Sequence, residues 1–363
     1  MKKKLKEICT GFTKNIAQKE LDDINGDYEI FGASGLIKKI DYYVSEVPYI
    51  GIVKDGSGVG RVNSYPEKSS LIGTMQYIVP NDDIELNYLM YGLRSLNLGN
   101  LYRGAAIPHI YFKEYKEFEL EIPSKEEQIK IAAHLDKIQS AIDNKKQQLS
   151  LLDEAVKSKF VEMFGDGSCK QIPFSEYAEI IDGDRGKNYP KSEDFSDDGY
   201  CLFLSAKNVT KNGFIFENNQ FISKEKDETL RKGKLNRGDI VITTRGTIGN
   251  IAYFDDSIPY KNIRINSGMV IIRNKDLEFN QRFFLEAFRN KIDEIIATQV
   301  TGAAQPQLPI HIMSKITLPY PDLALQNKFS SFVQQIDKAK SIAKQQLADL
   351  QELLDSKMQA YFG

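Results

Sequence analysis

The residues that most often perform chemistry are present in this chain, but not at the spacings that chemistry needs. Its three histidines, His109, His134 and His311, stand at no metal-ligand spacing. His134 falls inside a long helical pattern, where a surface or seam position is expected. The carboxylate pairs Asp82-Asp83, Asp197-Asp198 and Asp255-Asp256 lie in polar, turn-forming stretches. Solvated loop tips suit them better than general acid and base roles. The three cysteines, Cys9, Cys169 and Cys201, form no Cys-x-x-Cys pair. That favours reduced thiols in a cytoplasmic protein over a zinc site or a disulfide frame. There is no Gly-x-x-x-x-Gly-Lys-Ser/Thr phosphate loop and no Gly-x-Ser-x-Gly elbow. The Asn-Pro-Pro-aromatic motif of adenine-amino methyltransferases is also missing. The glycine cluster Gly56–Gly60 does not follow dinucleotide-binding spacing. The expectation is a binding protein rather than an enzyme, with no metal of its own.

The elements that would position a binding surface announce themselves through a repeat. Residues 104–165 recur as 302–363 without a gap. Gly104, Ala105, Ala106 and Pro108 return as Gly302, Ala303, Ala304 and Pro306, and Leu120 and Pro123 return as Leu318 and Pro321. Gln128 and Lys130 return as Gln326 and Lys328, and Phe164-Gly165 as Phe362-Gly363. A long-period repeat decides the fold before any local pattern does.

Inside each copy the apolar residues step by three and four, the spacing of a heptad seam. The first seam is Leu135, Ile138, Ile142, Leu149, Leu152, Val156, interrupted at Lys145. The second is Val333, Ile336, Ala343, Leu347, Leu350, Leu354, interrupted at Lys340. Ser124 and Asp322 suit the N-cap, because a short side-chain oxygen accepts from the free amides of the first turn. Ser124 has Glu127 at capping-box spacing, and Gly165 and Gly363 suit the ends. About 40 residues at ~1.5 Å rise make a rod of about 60 Å. A lone rod cannot bury its stripe, so two in one chain are expected to pack on each other, in a pseudo-two-fold arrangement.

Four segments follow: a variable domain over 1–122, a long helix over 123–165, a second variable domain over 166–320 and a second long helix over 321–363. The domains share anchors. Leu5–Gly11 echoes Tyr177–Gly183. Tyr49–Val53 and the glycine turn to Val62 echo Ile240–Thr244 and the glycine turn to Ile251. β-branched runs bounded by glycines read as strands and tight turns. Glu85–Leu96 and Asn280–Ala297 read as helices, so the fold class is α+β with mixed α/β domains. Hydrophobic content of 41% and charged content of 27% mark an ordered chain. No apolar run approaches the ~18 residues of a membrane span. No apolar stretch follows Met1-Lys2-Lys3-Lys4, so no secretory leader is expected. A net charge of −2 supplies no global basic field, so any binding to nucleic acid must come from local patches or a basic partner.

Two divergent domains alternate with two repeated helices, each preceded by a Gly-Ala-Ala-x-Pro turn and a proline-then-glutamine start (Pro123…Gln128, Pro321…Gln326). Along essentially its whole length this resembles the specificity subunit of a type I restriction–modification system. One departure is Leu323-Ala324-Leu325, which stands where the first copy has Lys125-Glu126-Glu127 and the family usually has an acidic residue. The resemblance implies target-recognition domains that each read one half of a split double-stranded DNA site, and an antiparallel coiled coil that sets the spacer. It implies docking of two methyltransferase subunits carrying S-adenosylmethionine, and restriction subunits using ATP and Mg, in a cytoplasmic phage-defence complex. A specificity chain of a related restriction or defence system, or a coiled-coil scaffold joining two protein-binding modules, are the competing readings.

On that resemblance, candidate DNA contacts in the first domain are Lys38, Lys39, Lys54, Ser57, Arg61, Arg94 and Arg103. In the second they are Arg185, Lys187, Lys207, Asn208, Lys234, Arg245, Thr247, Lys261 and Arg264. Basic and hydroxyl side chains hold phosphate, glycine turns bring amides close to it, and Arg and Asn pair bidentately with guanine and adenine edges. Lys54 and Ser57 are taken as the counterparts of Arg245 and Thr247.

Overall fold

The computed structural model describes residues 1–56, 58–101, 108–211, 213–275, 280–299 and 307–363, and of 297–299 the backbone only. The chain separates into two compact units, residues 1–148 with 342–363 and residues 149–341. The division runs through both long helices, so each unit contains half of each.

The first unit is built on strands β1 (Cys9–Phe12), β2 (Tyr49–Val53), β3 (Val62–Tyr65) and β4 (Met75–Pro80), in the order β1-β4-β2-β3. All neighbours are antiparallel, with Ile50 opposite Ile78 and Ile52 opposite Gln76. Strand β2 is buried on both faces. One face puts Ile50, Ile52 and Ile78 against helix α1 (Leu86–Ser95). The other puts Tyr49, Val53, Tyr65, Met75 and Tyr77 into a tyrosine-rich core. Each such side chain removed from water contributes roughly 1.5–3 kcal/mol. A smaller sheet pairs Tyr28–Gly32 with Gly35–Ile40 (antiparallel) and with Ser70–Leu71 (parallel).

The second unit repeats this plan. Strands β5 (Ala178–Asp182), β6 (Ile240–Thr243), β7 (Ile251–Tyr253) and β8 (Met269–Asn274) take the matching order β5-β8-β6-β7. Its smaller sheet joins Cys201–Leu204 to Phe221–Ile222 (antiparallel) and to Ile263–Ile265 (parallel). In both units a strand at the start of the domain pairs antiparallel with one just before a long helix: Lys2–Lys4 with Glu119–Glu121, and Gln171–Pro173 with Thr317–Pro319. The anchors Tyr49–Val53 and Ile240–Thr244 fall on equivalent strands, whereas Leu5–Ile8 is a short helix whose counterpart is Phe174–Tyr177, three residues before the match read from the sequence. The second domain adds a short hairpin, Val209–Thr210 with Gly213–Phe214, and its helix α3 (Gln281–Gln299) has 19 residues where the first domain's has 10.

The rods are helices of 40 residues each, α2 (Lys125–Phe164) and α4 (Leu323–Phe362). Both caps form: Ser124 Oγ accepts from the Glu127 amide at 3.3 Å, and Asp322 Oδ1 from the Leu325 amide at 2.8 Å. The missing acidic residue of the second copy is thus no obstacle to its start. In the first unit the start of α2 lies beside the end of α4: Leu135, Ile138, Ile142 and Leu354 are buried with Leu347 and Leu350 packed on them, and a His134 ring nitrogen lies 3.0 Å from the Tyr361 hydroxyl. Ala343 is buried as well. In the second unit Val156 and Val333 are buried with Ile336 against them. The rod halves are antiparallel in each unit. Leu149 and Leu152 are only half-buried, the weaker stretch expected where lysines interrupt the seam. Lys145 donates to Gln148, and Lys340 forms a 2.6 Å ion pair with Asp153 of α2.

The cysteines are free thiols. Among the described residues no helix is long and apolar enough to cross a membrane, and no group of three or more His, Cys, Asp or Glu could hold a metal ion.

Candidate nucleic-acid interface

In both domains the chain turns sharply between the second and third strands of the larger sheet, and the two turns close with matching bonds although the first is one residue longer. Gly56 and Gly60 in the first, and Gly246 and Gly249 in the second, have φ of +93°, +81°, +75° and +82°, the left-handed region open to glycine. Gly60 also lies so close to Gly99 that an added Cβ would meet the Gly99 nitrogen at 2.1 Å. The closing bonds match: Gly60 N to Val53 O at 2.8 Å and Gly249 N to Thr243 O at 2.9 Å. The flanking bonds match too, Ile110 N to Lys54 O and Leu308 N to Thr244 O.

These bonds correct the pairing of the turns. Lys54 corresponds to Thr244, because both amides donate to the next strand's approach, at Thr74 O and Gly268 O. Asp55, bridged to His109, therefore stands where Arg245, bridged to Gln307, stands in the second domain. Lys54 is buried, and its Nζ reaches Asp55 at 2.5 Å beside the Tyr111 ring. Arg245, Gly246 and Thr247 are exposed.

The structure sorts the remaining candidates. Arg264 is 5% exposed, and its guanidinium is bound to Asp227 at 2.5 Å and to the carbonyls of Asp227, Leu230 and Lys232. Lys234 bonds the other Asp227 oxygen at 2.5 Å. Burial alone would raise the Asp227 pKa, but the bonds from Lys234 and Arg264 outweigh it and hold the carboxyl below its ordinary range. The neighbouring Cys201 thiol is pushed up to about 12, first by burial and then by Asp227. Asn208 is buried, accepting from the Ser205 amide and hydroxyl and donating to Ile215 O. Grouped by sequence with the surface readers, Lys54, Asn208 and Arg264 instead hold the domain together from inside.

Two clefts gather other candidates. A cleft of about 690 Å³ beside the first turn brings Arg61 and Arg94 together with Asn63, Asn97 and Asn100. There Arg94 bonds Val62 O and Asn63 Oδ1, and burial lowers its pKa. Arg61 donates to Ala33 O from an exposed position. A cleft of about 260 Å³ under the second turn unites Arg185 and Arg245 with Asp182, Thr244 and His311. Arg185 bonds Asp182 and Ser267 O at 3.1 Å each. Lys38 is half-buried on Leu21 O at 2.7 Å. Lys39, Lys187, Lys207 and Lys261 are exposed. Ser57, Arg103 and both Gly-Ala-Ala runs lie outside the described residues.

A pair that the sequence reading left without a role sits where domain meets rod. Gln128 and Gln326 are each 1% exposed. Gln128 Oε1 accepts from the Glu85 amide at 2.8 Å, and its Nε2 donates to Pro123 O at 3.1 Å. Gln326 Oε1 accepts from the Asn280 amide at 2.9 Å, and its Nε2 donates to Pro321 O at 2.8 Å. Their recurrence in both copies was the available signal.

Residues 1–154 and 172–352 match the family described as the type I restriction modification DNA specificity domain, and the chain belongs to that family. It is 24% identical over 300 residues to the type I restriction enzyme MjaIX specificity subunit of Methanocaldococcus jannaschii, covering 77% of this chain and 68% of that one. To the MjaVIII specificity subunit of the same organism it is 23% identical over 327 residues, covering 82% and 74%. The fold is similar to the crystal structure of the type I restriction-modification system S subunit from M. genitalium, with TM-score 0.58, 20% identity and coverage of 100% and 96%. It is also similar to a structure described as the basis of complex assembly and conformational transition of the type I R-M system, with TM-score 0.52, 13% identity and coverage of 99% and 96%. The chain is a DNA-specificity subunit, a recognition component rather than a catalyst.

Proposed function

We propose that each domain reads one half of a bipartite site on double-stranded DNA through the face around its glycine turn, and that the rods set the number of base pairs between the halves. The observation that carries this reading is one turn built twice, on the same sheet order, with different side chains at equivalent places. A shared backbone can meet the sugar-phosphate frame in the same way while the side chains report different bases. Asp55 presents an acceptor suited to cytosine or adenine amino groups, and Arg245 a donor fork suited to guanine. In this reading Arg185, Lys187, Lys207 and Lys261, with Lys39 and Arg61 in the first domain, hold phosphate.

The exposed flanks of the rods take two methyltransferase subunits, which supply S-adenosylmethionine, and restriction subunits using ATP and Mg complete the assembly in the cytoplasm. A chain of net charge −2 has little salt-dependent affinity of its own. Tight binding at physiological salt belongs to the assembled complex, and undiminished sequence-specific binding by the isolated chain would refute this. The ruler is tested by inserting one heptad in both rods. Seven residues add about 10.5 Å, the length of about three base pairs. The recognised half-sites should persist while the spacer lengthens, and an unchanged spacer would disprove the ruler.

A further inference from the structure

Each recognition domain meets the rods through its own helix, α1 or α3, and that joint has the same two parts in both units. The first part is the buried glutamine near the start of one rod, which takes the backbone amide just before the domain helix: Gln128 on Glu85, and Gln326 on Asn280. The second is the last phenylalanine of the other rod, which covers the third residue of that helix. Phe362 lies 5.1 Å from the Tyr88 ring, and Phe164 lies 5.0 Å from the Phe283 ring. The rest of each joint is shaped to admit these groups. A Cβ on Gly92 would meet Phe362 at 3.3 Å and Leu120 at 2.7 Å. Asn280 Oδ1 accepts from the Arg282 and Phe283 amides and from Ser330 of α4.

We infer that these glutamine–phenylalanine pairs are positioning residues that fix the angle of each reader on the rods. Gln128 and Phe362 govern the first domain, and Gln326 and Phe164 the second. The assignment crosses the repeats: the last aromatic residue of the second copy positions the first domain, and that of the first copy positions the second domain. An apolar core alone can slide or rotate, because its energy is non-directional. A hydrogen bond at a helix start adds direction, and a ring against the first turn blocks rotation about it. This inference rests on the reading that each domain takes one half-site.

The test uses the complete complex and four variants, Gln128→Met, Phe362→Ala, Gln326→Met and Phe164→Ala. Methionine keeps the volume of glutamine and loses its bonds. The probes are a duplex carrying the site defined by sequencing methylated host DNA, and duplexes whose spacer is one base pair shorter or longer. Wild type should bind the native spacer best, and each variant should narrow that preference by about fivefold or more. With either half-site scrambled in turn, Gln128→Met and Phe362→Ala should weaken reading of one half, and Gln326→Met and Phe164→Ala reading of the other. Amide hydrogen exchange adds a readout independent of DNA: Gln128→Met should speed exchange at Glu85 and leave Asn280 unchanged. Equal losses on all duplexes with the spacer preference intact would overturn the inference and leave DNA reading standing. A wild-type complex without sequence preference would overturn both.

Discussion

At the turn of the first domain a carboxylate, Asp55, occupies the place where the second domain carries a guanidinium, Arg245. The backbones around them close with the same bonds, and both rely on glycines at positive φ. The carboxylate is tied to a buried Lys54, whereas the guanidinium is exposed at the edge of a small cleft of mixed lining. The difference teaches that the turn is a fixed mount for exchangeable groups. Burial of the strands on either side holds the mount, so a reversal of charge at its tip leaves the fold alone. The smaller sheets differ in a complementary way. In the first domain this sheet is backed by Leu21, Ile30, Ile40 and Ile72. In the second, a comparable apolar set of Cys201, Phe203, Ile222 and Leu230 is joined by the buried Asp227–Arg264 pair, with half-buried Lys234 on the other Asp227 oxygen.

The largest expected effect breaks that second contrast. Asp227→Asn leaves Arg264 buried without its charge partner, which costs about 3–5 kcal/mol. Denaturant unfolding of the full chain should show the loss in the second unit. Acid does the same work. Because the folded Asp227 carboxyl is held below its ordinary 3.8, its contribution is complete above that value and is lost as pH falls through the lower, folded one. Hydrogen exchange at acid pH should open Cys201–Leu204 before Tyr28–Gly32; the reverse order would contradict the assignment.

Next in size is Arg245→Ala, which should remove about 1–3 kcal/mol of discrimination at one base pair of one half-site, measured by competition binding of the complex. Uniform weakening across sequences would instead mark Arg245 as a phosphate contact. The smallest effect sharpens the comparison of the rods. In the Lys340–Asp153 pair the lysine is half-buried but Asp153 is 67% exposed to solvent, so Lys340→Leu should change unfolding stability by no more than about 1 kcal/mol. A leucine there continues the seam, so the change should stabilise. A loss of several kcal/mol would show that the pair fixes rod register.

Much of this was legible before any coordinates. The rods, their caps at Ser124 and Asp322, their last residues Phe164 and Phe362, and the strand–turn–strand anchors follow from heptad spacing and glycine placement, which are local signals. The failures lie where a partner is distant in sequence. Gln128 acts on Glu85 and Gln326 on Asn280, so neither role can be read from neighbouring residues. Lys54 has the residue type of a turn-tip cation, but its amide bonds Thr74 O and its side chain is buried, so the place of Arg245 falls to a half-buried Asp55. Arg264 has a local signal of burial. It stands between Ile263 and Ile265 in a short strand, and all three are buried. An arginine flanked by isoleucines in such a strand is held by the core.

The most direct test of the account is single-molecule sequencing of methylated DNA from cells carrying this chain, its Arg245→Ala variant or its Asp55→Asn variant. The account predicts a split motif whose specificity relaxes in one half with the first substitution and in the other half with the second. An unsplit motif, or relaxation of the same half by both substitutions, would contradict it.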